Sequence, residues 1–166
     1  NPGNFYNANP SEYLWDNNGL WSGDSNGYHS GENSVPGHFT IDLNVTTQLA
    51  KAKIFYRPTW SFAGNNPTQL EIWGREDIDN AETLPIFESS GNSVISDPVL
   101  ASEFENAGWQ LITSQAINGA SSNFSEFDIP AGPMVRFIRI RFVSTVEGSA
   151  CQFIEMEFRG MGAIPA

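Results

Sequence analysis

The sequence predicts an all-β domain built as a sandwich or jelly roll, and three observations predict it. Short segments of period-two alternation recur along the chain, and turns rich in Gly, Pro and Asn separate them. Aromatic residues are plentiful, with 12 Phe, 5 Trp and 4 Tyr, while Lys and Arg together number only 8. That balance suits a packed, sheet-rich domain rather than a coiled or disordered chain.

Residues 1–36 are crowded with Asn, Gly, Ser and Pro and show no sustained period, so they read as loops and turns. Tyr13, Leu14, Trp15, Leu20 and Trp21 are too apolar for a loose tail, which predicts that the segment packs against the domain. From His38, the residues Phe39, Ile41 and Leu43 alternate with Thr40 and Asp42, the pattern of a half-buried strand. Residues 52–56 form a second strand with Ile54 and Tyr56 on one face, and residues 69–73 a third, with Leu70 and Ile72 opposing Glu71 and Trp73. Residues 109–113 and 124–129 supply a fourth and a fifth.

The last two strands alternate most clearly. Ile138, Ile140 and Phe142 face away from Arg139 and Arg141, and Ile154, Met156 and Phe158 face away from Glu155, Glu157 and Arg159. Their basic and acidic outer faces are expected to pair across neighbouring strands. Residues 76–108 read as a long excursion, with a short helix over 98–106 capped by Asp97.

A chain of 166 residues fits one domain, 1–166, with a core of its own. The formal net charge of −11 argues against nucleic acid, which needs a basic stripe to displace counterions, and disfavours anionic lipid. It permits calcium, neutral sugars or a basic partner protein, although solubility alone accounts for an acidic surface. No stretch approaches the roughly 20 apolar residues that span a bilayer, so no membrane insertion is expected. Cys151 is the only cysteine, so no internal disulfide forms. The chain begins at Asn1, as a processed protein or an excised domain would. Asn44-Val45-Thr46 and Asn123-Phe124-Ser125 match the glycosylation sequon, a pattern that arises easily by chance.

Seven segments, in order, carry a resemblance. They are Leu14-Trp15-Asp16-Asn17-Asn18 with Trp21-Ser22, Pro36 through Phe39-Thr40-Ile41-Asp42-Leu43, and Ile54-Phe55-Tyr56-Arg57 followed by Leu70-Glu71-Ile72-Trp73-Gly74. Gly108-Trp109-Gln110-Leu111, Val135-Arg136-Phe137-Ile138-Arg139-Ile140 and Phe153-Ile154-Glu155-Met156-Glu157-Phe158-Arg159-Gly160 complete the series. Together they resemble the discoidin, or coagulation-factor type C, family of galactose-binding-like jelly rolls, closest to the carbohydrate modules on surface proteins of glycan-degrading bacteria. The resemblance implies a discoidin-like jelly-roll β-sandwich; a fold does not by itself fix a function.

The resemblance also implies one structural calcium ion, held between the early aspartate loop and the closing strand. Asp16, Asn18 and Glu155 occupy the matching positions, and their oxygen atoms are the hard donors that calcium takes. Asn17 stands where the family has glycine, and no hydroxyl-bearing residue precedes Trp21. Equally, Asp16 caps a turn and Glu155 pairs with an arginine on a neighbouring strand.

For sugar binding, the related modules present a histidine, an arginine and an asparagine from loops at one end of the sandwich. Arg57 matches the arginine and Asn65 or Asn66 the asparagine; Ser22 replaces the histidine, for which His29 is the substitute, with Tyr28 beside it. Trp60 lies between them in Pro58-Thr59-Trp60-Ser61-Phe62 and offers an aromatic face to a pyranose. Alternatively, Trp60 and Phe62 fold over the end of the sandwich and Arg57 pairs with a carboxylate. Trp21 and Trp109 match core positions, and Trp73 points to the other face of its sheet from Leu70 and Ile72.

Enzymatic readings find little support. His29 and His38 lack zinc-ligand spacing, Cys151 reads as a small buried filler, and Glu103 and Glu105 have no evident partners. The expectation is therefore a non-catalytic, glycan-binding C-terminal module of an extracellular or cell-surface protein, an outer-membrane lipoprotein in a glycan-uptake system with partner proteins. A protein-interaction or structural domain is the alternative.

Overall fold

The computed structural model describes residues 28–30, 35–58, 63–77, 101–119, 123–148 and 150–165. Strands β1 (Tyr28–His29), β2 (Gly37–Phe55) and β3 (Pro67–Arg75) come first, with a 3-10 turn at Ala63–Asn65 between the last two. Helix α1 (Ala101–Asn106) precedes β4 (Gln110–Ala116), β5 (Phe124–Asp128) and β6 (Met134–Thr145). Strands β7 (Gln152–Phe153) and β8 (Glu155–Pro165) close the chain.

Strand β2 organises the sandwich. Its 19 residues, about 60 Å if straight, span both layers because the strand bends midway. Residues 37–42 pair with β6, and residues 51–55 pair with β5 on one side and β8 on the other. The register shifts between Asp42 and Thr47, where Asn44 takes a positive φ of 57° and its N–H donates to Asp42 Oδ1 at 2.8 Å. Asparagine tolerates that conformation better than bulkier residues do, which explains why the bend falls there. Two strands expected from the alternation, 38–43 and 52–56, are thus one strand crossing between layers. The front layer runs β4-β3-β6-β2, and the second half of β2 lies between β5 and β8 in the back layer.

Alternation fills the space between the layers. Phe39, Ala52, Ile54, Leu70, Ile72, Ile138, Ile140, Phe142 and Met156 are all buried, as their sequence period requires. Tyr56 joins them, its hydroxyl pushed up to about 12, chiefly by burial. Cys151 is buried too, and loss of solvent raises its thiol well above the ordinary range, so it is a filler without nucleophilic character.

A second cluster covers the outside of the front layer. Trp73, Phe104 of α1 and Trp109 pack there, with the Arg139 guanidinium 4.1 Å from the Trp109 ring centroid and 4.9 Å from that of Phe104. Gly108, at a φ of 85°, ends α1 by donating to the Glu105 carbonyl while Trp109 N–H reaches back to Phe104. That turn is what lays Trp109 over the sheet. The expected charge pairing between the two late strands is not formed, because β6 lies between β3 and β2 while β8 pairs with β2. Arg141 instead bonds Glu71 on β3 at 3.1 Å, and Arg139 stacks on the two aromatics.

Candidate functional site

Four pieces of chain meet at one end of the sandwich: the residues after β2, the turn 63–66, the connection after β6, and the β1–β7 pair. Backbone bonds tie the second to the third. Val146 N–H donates to the Asn66 carbonyl at 3.0 Å, and Glu147 and Gly148 N–H both donate to the Gly64 carbonyl at 2.9 Å. The approach at Gly148 is so close that a Cβ there would collide with Asn65 Oδ1. The sequence therefore needs glycine at 148 to seat Asn65.

Arg57 follows β2 and donates from Nη1 to Gln152 Oε1 at 3.1 Å. Gln152 lies opposite His29 in the β1–β7 ladder, so the arginine and the histidine reach the same small sheet. His29 Nδ1 meets the Ser30 carbonyl and so carries the proton, which leaves Nε2 to accept from Asn65 Nδ2 at 3.2 Å. Arg57, Asn65, His29 and Gln152 thus form one constellation of guanidinium, amide and imidazole groups. Such groups match the hydroxyls of a polar, uncharged ligand.

Two residues expected at this site take other roles. Tyr28 is buried among Phe39, Phe142 and Phe153, with its ring centroid 5.0 Å from that of Phe39. Burial raises its hydroxyl beyond the usual range, and no face of the ring is left for a ligand. The strand period is the reason: His29 faces out, so its neighbour faces in. Asn66 is likewise fully buried, and its amide is spent on Arg57 and on the Gly119 carbonyl, 3.0 Å away. Asn65, half-buried and turned toward His29, is the asparagine that fits the ligand role.

Trp60 lies outside the described residues, as do Asp16, Asn18, Trp15, Trp21, Ser22 and Phe62. Glu155 opens β8 opposite Phe55 and is 3% exposed, so its carboxylate sits away from bulk water. Among the described residues, no three His, Cys, Asp or Glu side chains cluster as metal ligands. Gln152 and Gly148 escaped the sequence reading. A polar residue inside the apolar run Cys151-Gln152-Phe153-Ile154 was the one available signal for the first, and nothing local marks the second. At the opposite end of β3, a separate open cleft of about 340 Å³ is lined by Gly74, Arg75, Asp77, Gln110 and Met134.

A family model described as a domain of unknown function matches residues 15–160. No curated protein matches the sequence. Among solved structures, a SusE-like protein, BT2857, aligns with a TM-score of 0.69 at 20% identity, covering 96% of this chain and 92% of its own. The third family 32 carbohydrate-binding module of a family 31 glycoside hydrolase from Clostridium perfringens aligns at 0.64 and 13% identity, covering 94% and 85%. The family 32 module of C. perfringens NanJ, solved in complex with galactose, aligns at 0.60 and 14% identity, covering 93% and 87%. At these identities the likeness shows the fold: the chain is a discoidin-like, galactose-binding-like β-sandwich, as its sequence segments indicated.

Proposed function

The chain belongs to the DUF5000 family, and we propose that this domain is a non-catalytic carbohydrate-binding module of a bacterial cell-surface protein. The observation that carries the proposal is the convergence of Arg57, Asn65 and His29 at one end of the sandwich. Their side chains are oriented by protein partners before any ligand arrives, so little ordering entropy is lost on binding. Arg57 and Asn65 would hold the sugar hydroxyls, and Trp60, in the connection 59–62 between the two, would stack on the apolar face of the ring. The galactose bound by the NanJ module supports a sugar as ligand, and the likeness to a SusE-like protein supports a surface glycan-uptake system with partner proteins. Retention on a polysaccharide would come from multivalency, because a single sugar binds weakly.

Glu155 also fits a structural calcium site. The Glu155 carboxylate would supply one of the hard oxygen donors that calcium takes, and Asp16 and Asn18 would supply others. Such an ion would brace the start of β8 against residues 16–18.

A glycan-array screen in calcium, run with the intact domain and the Arg57→Ala and Trp60→Ala variants, tests the proposal. Binding by the intact domain that both variants lose supports it. A folded domain that binds no glycan overturns it in favour of a protein-interaction role.

A further inference from the structure

Beyond the terminal site, the outer face of the back sheet carries an aromatic pair. Ala52, Ile54 and Tyr56 point into the core, so Lys53, Phe55 and Arg57 share the opposite side of the chain, spaced by about 6.6 Å. The alternation persists past the end of β2, because Tyr56 N–H still pairs with the Asn123 carbonyl at 2.7 Å. Phe124 on β5 lies in register with Phe55, their ring centroids 5.9 Å apart, and is 47% exposed. Lys53 Nζ stands 4.4 Å from one centroid and 4.6 Å from the other. Glu126 and Glu157 flank Lys53 in the two neighbouring strands.

A lone exposed phenylalanine is ordinary. Here, however, two rings, an ammonium and two carboxylates form an apolar platform with a polar rim, on the same side of β2 as Arg57. That combination matches a pyranose, with its apolar face and its equatorial hydroxyls. We infer that the glycan site extends from Arg57 down this strip, where Phe55 and Phe124, bridged by Lys53, form a second subsite for the following units of an oligosaccharide. The inference rests on the carbohydrate-binding reading and specifies its ligand class: a chain read over several units, not a single terminal sugar. Continuity decides between occupants, since the strip begins two residues from the guanidinium that holds the first unit.

The test uses graded ladders of galactan, mannan, β-glucan and chitin oligosaccharides, from monomer to tetramer, measured by calorimetry on the intact domain. For the ladder that binds, affinity is expected to rise about tenfold from monomer to trimer, and in Phe124→Ala the trimer-to-monomer ratio should fall to near one. Amide shifts of the unaltered protein on trimer addition provide a second readout that needs no variant, with residues 53, 55 and 124 moving alongside 57 and 65. Equal affinities along the ladder, or shifts confined to 57 and 65, would overturn the second subsite and leave the terminal site standing. Absence of binding to every ladder by the folded domain would overturn both.

Discussion

Asn66 clamps the backbone of Arg57 from both sides: its Oδ1 accepts the Arg57 N–H at 3.1 Å, and its Nδ2 donates to the Arg57 carbonyl at 2.8 Å. The side chain thereby replaces the missing strand partner of the first residues past β2. A third bond, from Nδ2 to the Gly119 carbonyl at 3.0 Å, anchors the clamp to the connection after β4. Both hydrogens of the amide and its oxygen are satisfied, so its burial is affordable only as a complete network. Asn66 therefore holds the Arg57 backbone in place, and its own amide is buried.

Removing the clamp strands two backbone groups of Arg57 away from water. Asn66→Ala is therefore expected to lower the unfolding free energy by about 1–3 kcal/mol and to weaken glycan binding more than its distance from solvent would indicate. Asn66→Asp keeps the acceptor and loses both donated bonds, so it should resemble the alanine variant. Urea denaturation with parallel calorimetry checks this, and unchanged stability in both variants would contradict the clamp.

Gly148→Ala acts on Asn65 directly. Its new methyl would collide with Asn65 Oδ1 and lie against the Gly64 carbonyl, forcing the amide away from His29 Nε2. The connection sits at the edge of the sandwich, so the expected result is a clear loss of glycan affinity with a stability change of about 1 kcal/mol or less. A wild-type affinity would remove Asn65 from the site.

Asp42 links the bend of β2 to pH. Arg136 grips its carboxylate with two bonds, of 2.9 and 2.8 Å, and the Asn44 N–H adds a third. The arginine hydrogen bonds hold the carboxyl below the ordinary aspartate range, with the Asn44 amide and the arginine charge adding to the effect and desolvation opposing it. A group lowered in this way contributes its full stability above the unfolded value, near ~3.9, and loses it as pH falls through the folded value. With both side chains about one-third exposed, the contribution is under about 1 kcal/mol. Asp42→Asn should flatten the acid limb of a stability profile between pH 5 and 2, by roughly that amount. A profile that keeps the wild-type acid limb would show that other carboxylates set it.

Legibility in the sequence followed the reach of each interaction. Period-two alternation placed Phe39, Ile54, Ile72, Ile140 and Met156 in the core, since burial on one face is a local pattern. It separated Trp73 from Leu70 and Ile72, as the two clusters show. It also ran two segments apart at Asn44, because a bend that keeps a strand continuous resembles a turn in the sequence. Within the candidate site, the resemblance marked Arg57 at the end of its strand, and the structure sets it beside Gln152. The choice between Asn65 and Asn66 was not, because it depends on a carbonyl 53 residues away. The burial of Tyr28 was not legible for a related reason: a two-residue strand offers no period to say which side faces in.

A calcium ion at Glu155 makes a prediction on folding rather than on sugar. If the carboxylate braces the start of β8 through the ion, chelation should lower the melting temperature by several degrees, and calcium should restore it. Glu155→Gln should melt at the chelated temperature and no longer respond to the metal. Differential scanning calorimetry with and without chelator distinguishes the outcomes, and a wild-type domain indifferent to both would remove the ion.

Arg139 tests the second cluster independently of any ligand. Its guanidinium carbon stands 4.1 Å from the Trp109 centroid and 4.9 Å from that of Phe104, while Nε donates to Thr40 Oγ1 at 3.0 Å. A lysine keeps the charge and loses the planar surface and the fixed donor. Arg139→Lys should therefore cost about 1 kcal/mol, because the cation is largely desolvated where it meets the rings. Arg139→Met restores apolar contact without the charge, and should fall between wild type and lysine if stacking area matters more than charge. Denaturant midpoints of the three proteins, with equal slopes, give the ranking. Lysine equal to arginine would mean that the charge alone holds α1 on the sheet.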